Sequence, residues 1–80
     1  NKTEVRKIEK LLQFFTIFHF DEAIGRRSID LIRKYSKSHG LLLADAVIAA
    51  TCLENELRLV TFNAKHFQFI QGLTIDVPKP

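Results

Sequence analysis

The sequence predicts an α/β domain in which helices lie against a mainly parallel sheet. Two observations carry this. Segments with apolar residues at helical spacing alternate with short runs rich in β-branched and aromatic residues, in the order α-β-α-α-β-β. The chain also has no internal repeat, no low-complexity stretch and no linker rich in Gly, Pro or Ser, so its 80 residues make one domain. An α/β domain ordinarily opens on a strand near the centre of its sheet. This chain opens on a helix, which predicts a missing upstream strand.

The first helix starts near Thr3, a capping residue, with Glu4 in the first turn where a carboxylate complements the helix dipole. Val5, Ile8, Leu12 and Phe15 recur on one face, and the helix is expected to end at about Gln13–Phe15. Phe15-Thr16-Ile17-Phe18-His19-Phe20 then reads as a short buried strand. Asp21 is the cap of a second helix, whose stripe is Ile24, Ser28, Leu31, Ile32 and Tyr35 and whose end is Gly40 in a left-handed turn. Tyr35 packs on that stripe with its hydroxyl expected to reach the surface. The apolar connector Leu41-Leu42-Leu43 leads to a third helix, from about Ala44-Asp45 to Glu56. The small residues Ala46, Ala49 and Ala50 on its face suit close packing on a sheet. Arg58–Thr61 and Leu73–Val77 read as strands, joined through Asn63, Phe67 and the turn at Gly72, and Pro78 stops the last.

Composition bounds the function. At 9.2 kDa the folded chain buries only about 60–65% of its unfolded surface, so its stability is marginal. Hydrophobic residues make up 46%, charged residues 26%, and the mean hydropathy is +0.00, which describes a soluble globular chain. No apolar run approaches the roughly 18–20 residues of a membrane span, and the first residues form no signal peptide. A single cysteine, Cys52, excludes an internal disulfide and a multi-cysteine zinc site, and fits a reducing cytoplasm. Net charge is +3 but uneven, +4 over residues 1–40 and −1 over residues 41–80. A basic half suits a polyanion such as RNA or an acidic partner, but on charge alone a solvated helix surface is the favoured reading.

Most catalytic motifs are absent. Gly25, Gly40 and Gly72 are too scattered for a phosphate loop, and no serine stands in a nucleophile elbow. His19, His39 and His66 are too far apart to share a helix turn as metal ligands. His39 reads as a charge near a helix C-terminus, and Cys52 as a small buried hydrophobe. Two polar positions stand out. Asp45 interrupts the apolar run Leu41–Ile48, where a carboxylate must cap a helix, pair with a cation or hold a metal. Asn63 and Thr61 lie at the carboxyl end of the strand Leu59-Val60-Thr61, where open parallel sheets place their ligand sites; a plain turn also accounts for Asn63.

The ordered stretch from Leu42-Leu43-Ala44-Asp45-Ala46-Val47-Ile48-Ala49-Ala50-Thr51 through Leu53-Glu54-Asn55, Leu59-Val60-Thr61 and Asn63 to Phe67 and Gly72-Leu73 resembles the PIN-domain family. The likeness is greatest to the VapC-like toxins of toxin–antitoxin pairs, and it reaches upstream over Ile17–Phe20 and Asp21–His39. It implies a three-layer α/β/α fold with a mainly parallel sheet, incomplete here because the first, central strand is missing. Residues 1–80 are then the C-terminal part of a single PIN-like domain. The resemblance further implies a divalent-metal-dependent endoribonuclease that hydrolyses RNA phosphodiesters, on tRNA or other structured RNA, with Mg²⁺ or Mn²⁺. A VapB-like antitoxin, a homodimer and a cytoplasmic location come with it.

By the same resemblance, Asp45 and Asn63 are metal ligands, with Thr61 supplying a hydroxyl beside them. The family's first-strand Asp and early-helix Glu have no counterpart, since Glu4 and Glu9 fit neither motif. His66 stands where related sequences often carry another acid. One carboxylate and one amide are a weak cage for a hard divalent ion. The 80 residues alone are therefore expected to be inactive, and a catalytically inactive PIN-like binding module for an antitoxin or nucleic acid is the alternative. Arg26, Arg27, Arg33, Lys34 and Lys37 are candidates for phosphate contact.

Overall fold

The computed structural model describes residues 1–12 and 19–79. Its elements in order are α1 (Lys2–Leu12), α2 (Glu22–His39), α3 (Leu43–Glu54), β1 (Leu59–Val60), a 3₁₀ turn (Ala64–His66) and β2 (Ile75–Asp76). β1 and β2 pair in parallel, with Leu59 opposite Ile75 and Val60 opposite Asp76. The parallel sheet was legible, although its strands are two residues long rather than four or five. Most of the expected strand over 15–20 lies outside the described residues, and His19 and Phe20 are in no strand.

The helix ends show why the helices start and stop where they do. α1 begins two residues earlier than a Thr3 cap would place it, because Asn1 caps it: the Asn1 side-chain oxygen accepts the Glu4 N–H at 3.0 Å. The described side chains of α1 are exposed, Val5 and Ile8 among them. At α2 the Asp21 carboxylate accepts the Ile24 N–H at 2.9 Å. Gly40 closes the helix at φ 66°, the left-handed region that disfavours a side chain, and its N–H donates to Ser36. The α2 stripe is buried as the spacing predicts, at Ile24, Ser28, Leu31 and Tyr35. Ser28 satisfies its hydroxyl by donating to the Ile24 carbonyl at 2.7 Å, so the one buried polar side chain of the stripe costs little. Tyr35 differs from expectation. Its hydroxyl is turned inward and accepts the Gln71 N–H at 3.2 Å, tying the β1–β2 connection to α2.

α3 packs directly on α2. Its Ala46, Ala49 and Ala50 are completely buried, which lets the two helices approach closely. The small-residue face lies in a core shared by α2 and, from the sheet side, Leu59 and Ile75. Leu31, Tyr35, Leu41, Phe67 and Ile70 complete the core, with Leu59, Leu73 and Ile75 packed on it from the sheet side. Each large side chain withdrawn from water there contributes about 1.5–3 kcal/mol. Arg27 on α2 and Glu54 on α3 close the same contact from outside, with 2.8 Å between Nη2 and Oε2. That pair is half exposed and contributes little beyond orientation. Among the described residues β1 pairs with β2 alone, and Val60 and Phe62 on and after it are exposed.

Filling the α2–α3 contact is expected to be costly. Ala49→Leu in the full-length protein should lower stability by about 1–3 kcal/mol in urea denaturation, because the added methylenes meet a packed helix. An unchanged midpoint would show that the two helices have room to spare.

Candidate functional site

Asp45 does not cap α3. The cap position belongs to Leu42, which offers no side-chain bond, and Asp45 stands in the first turn with its carboxylate toward a crevice. The helix reading of this acid is thus narrowed to a favourable dipole position, which leaves the carboxylate oxygens free of capping duty. The crevice, about 200 Å³, is lined by His39, Leu41, Leu42, Asp45, Lys65 and His66 among others. Asp45 is only 20% exposed by its side chain. His66 lies beside it, with Nδ1 3.5 Å from Oδ2.

Thr61 and Asn63 do not line this crevice. They are joined to one another: the Thr61 hydroxyl accepts the Asn63 N–H at 3.0 Å, a local turn that follows β1 directly. Thr61 is itself held by the sheet, donating its N–H to Asp76 at 3.0 Å. Asn63 then connects to the Asp45 region through the backbone, since its carbonyl accepts the His66 N–H at 2.9 Å. Thr61 and Asn63 thus share a turn after β1, Asp45 stands apart on α3, and His66 touches both Asn63 through its backbone and Asp45 through its ring. Sequence reasoning treated His66 only as a missing acid. The signal that could have found it is its position three residues after Asn63, one turn of a 3₁₀ helix.

Other groups near the crevice are already engaged. The His39 ring stacks on Phe69, with centroids 4.3 Å apart, and its Nδ1 lies 2.8 Å from the Ser38 hydroxyl. Among the candidate phosphate contacts, Arg26 pairs with Glu22 and Arg27 with Glu54, and Lys34 sits 5.4 Å from the Tyr35 ring centre. Arg33 and Lys37 are exposed on α2. Cys52 is buried, and burial pushes its thiol above its ordinary pKa, which keeps it protonated and unreactive near neutrality.

The donor set fits a divalent cation in part. Asp45 offers an uncommitted, largely buried carboxylate, which favours a cation as partner. Among the described residues, however, no group of three or more His, Cys, Asp or Glu side chains converges. Asp45 can thus contribute to a metal centre that needs further ligands from outside these residues.

Residues 1–71 match the PIN domain, and the chain belongs to the PIN-domain family. It is similar to Ribonuclease VapC10 of Mycobacterium tuberculosis, 38% identical over 71 residues, in both the CDC 1551 / Oshkosh and the ATCC 25618 / H37Rv strains. The match covers 88% of this chain and 53% of each relative. The chain therefore spans about half the length of the curated relatives it matches. No solved structure matches it. No helix among the described residues is long and apolar enough to cross a membrane.

The Thr61–Asn63 turn can be tested directly. Thr61→Val should speed hydrogen exchange of the Asn63 amide while costing no more than about 1 kcal/mol of global stability, since the lost bond is exposed. Unchanged exchange at Asn63 would show that the hydroxyl does not hold the turn.

Proposed function

We propose that residues 1–80 are the C-terminal part of a single PIN-like domain in a VapC-like toxin, a divalent-metal-dependent endoribonuclease. Asp45 carries the reading: a largely buried carboxylate, free of capping duty, at a crevice and inside the stretch that matches the family. Asp45 and Asn63 would be metal ligands, and Thr61 would fix the turn that presents Asn63. A bound Mg²⁺ or Mn²⁺ would supply water activation and charge stabilisation at the scissile phosphate. The chain's own residues do the rest. Asp45 contributes negative charge and an orientation locked by α3, and Lys65 beside it offers a cation to the RNA backbone.

The substrate in this reading is tRNA or another structured RNA, recognised first through its phosphates. Arg33 and Lys37 on the exposed face of α2 suit that contact. A VapB-like antitoxin, a homodimer and a cytoplasmic setting belong to the same reading, supported by the family and the 38% identity to a VapC10 ribonuclease. A three-layer arrangement would be completed by segments beyond these residues. One observation favours a second reading, a catalytically inactive PIN-like module that binds an antitoxin or nucleic acid: the described residues bring no three metal-binding side chains together.

The two readings separate in the full-length protein. Asp45→Asn should abolish Mg²⁺- or Mn²⁺-dependent RNA cleavage, by at least about a hundredfold, with thermal unfolding little changed. Cleavage at the wild-type rate would reduce Asp45 to a helix-dipole residue. No cleavage by the wild-type protein in either metal would favour the binding module.

A further inference from the structure

The crevice beside Asp45 has an aromatic wall as well as a charged one. We propose that the outward face of His39 is a stacking platform for an unpaired nucleobase of the RNA, with Lys65 across the crevice taking an adjoining phosphate. The proposal rests on the RNA-binding reading above and requires no metal at the crevice.

Three observations carry it. First, the imidazole is fixed before any ligand arrives. It stacks on Phe69 with 4.3 Å between centroids and 12° between planes, and its Nδ1 lies 2.8 Å from the Ser38 hydroxyl. It also meets Tyr35 edge-on at 5.8 Å, and Tyr35 is itself buried and bonded to Gln71. A ring already held in this way loses little freedom when a base stacks on it. Second, one face of the ring is open. Phe69 covers the other, and the 5.2 Å between the Phe69 and Tyr35 centroids keeps Tyr35 on the Phe69 flank, so neither stands over the outward face. His39 is exposed and lines the crevice, whereas Phe69 does not line it. Third, the surroundings suit a nucleotide. Lys65 is exposed on the same crevice, and Leu42, 65% exposed, adds an apolar edge. Asp45 is the one carboxylate of the lining, and His66 stands beside it at 3.5 Å. An aromatic face for the base with a cation for the backbone is the combination by which proteins hold single-stranded RNA. A base inside a duplex has both faces covered by its neighbours. The platform therefore selects a loop or another unpaired nucleotide of a structured RNA.

The test uses the full-length protein in EDTA, with two probes of equal length: a single-stranded oligoadenylate, and a ribose-phosphate strand that carries no bases. The ring-proton resonances of His39 should move upfield on adding the oligoadenylate and stay in place with the abasic strand. In fluorescence anisotropy, His39→Ala should weaken oligoadenylate binding by about tenfold and leave the abasic strand unaffected. His39→Phe, which keeps a flat ring on Phe69, should bind oligoadenylate within about threefold of wild type. If the oligoadenylate binds without moving the His39 resonances, or if His39→Ala binds it as wild type does, the platform is overturned. Equal weakening of both strands in His39→Ala would overturn it too, since the ring would then act on the fold and not on a base. A wild-type protein that binds neither strand would instead overturn the RNA reading, and the platform with it.

Discussion

The close approach of α3 to α2 is the constraint on which the site depends. Ala46, Ala49 and Ala50 have no exposed surface, and their size sets how near the helices come. Asp45 precedes this alanine face by one residue, so the same contact that buries Ala46 draws its carboxylate against the crevice wall. The opposite wall is held by Phe67 and Ile70, core residues that anchor the 3₁₀ turn carrying Lys65 and His66. A packing interaction between small and aromatic side chains thus determines the distance between an acid and an imidazole.

The remainder of the chain is less committed. Tyr35, bonded to Gln71 and tilted against Phe69, stitches the returning chain to α2. Arg58 and Asp76 join the two strands at 2.9 Å, outside the core. Val5, Ile8, Phe20, Leu42, Leu43, Val60 and Phe62 are all exposed apolar side chains. Among the described residues no three metal-binding side chains converge at Asp45.

Much of this was legible in the sequence because the signals were local. Asp21 and Gly40 bound α2 by cap chemistry, and the Ile24–Tyr35 spacing named its buried stripe. The two strands and a parallel sheet followed from helices alternating with short apolar segments, whereas the Leu59–Ile75 register did not. What escaped depended on partners distant in the chain. The Tyr35 hydroxyl meets a backbone amide 36 residues away, and no periodicity announces that. The alanine face of α3 signalled close packing but not the element it packs on. For the site, Asp45 was marked by its apolar surroundings, and Thr61 and Asn63 by their place after a strand. The bond between Thr61 and Asn63 then proved local, and the crevice belonged to His66, whose nearness to Asp45 depends on the turn after β1.

If residues 1–80 hold part of a sheet and part of a metal site, as proposed, the isolated chain should neither stay monomeric nor cut RNA. Sedimentation of the isolated 80-residue chain, with RNA cleavage assayed on the same sample in Mg²⁺ and Mn²⁺, tests it most directly. Self-association through the uncovered apolar surfaces, without cleavage, is the predicted result. A well-folded monomer that cuts RNA would contradict it.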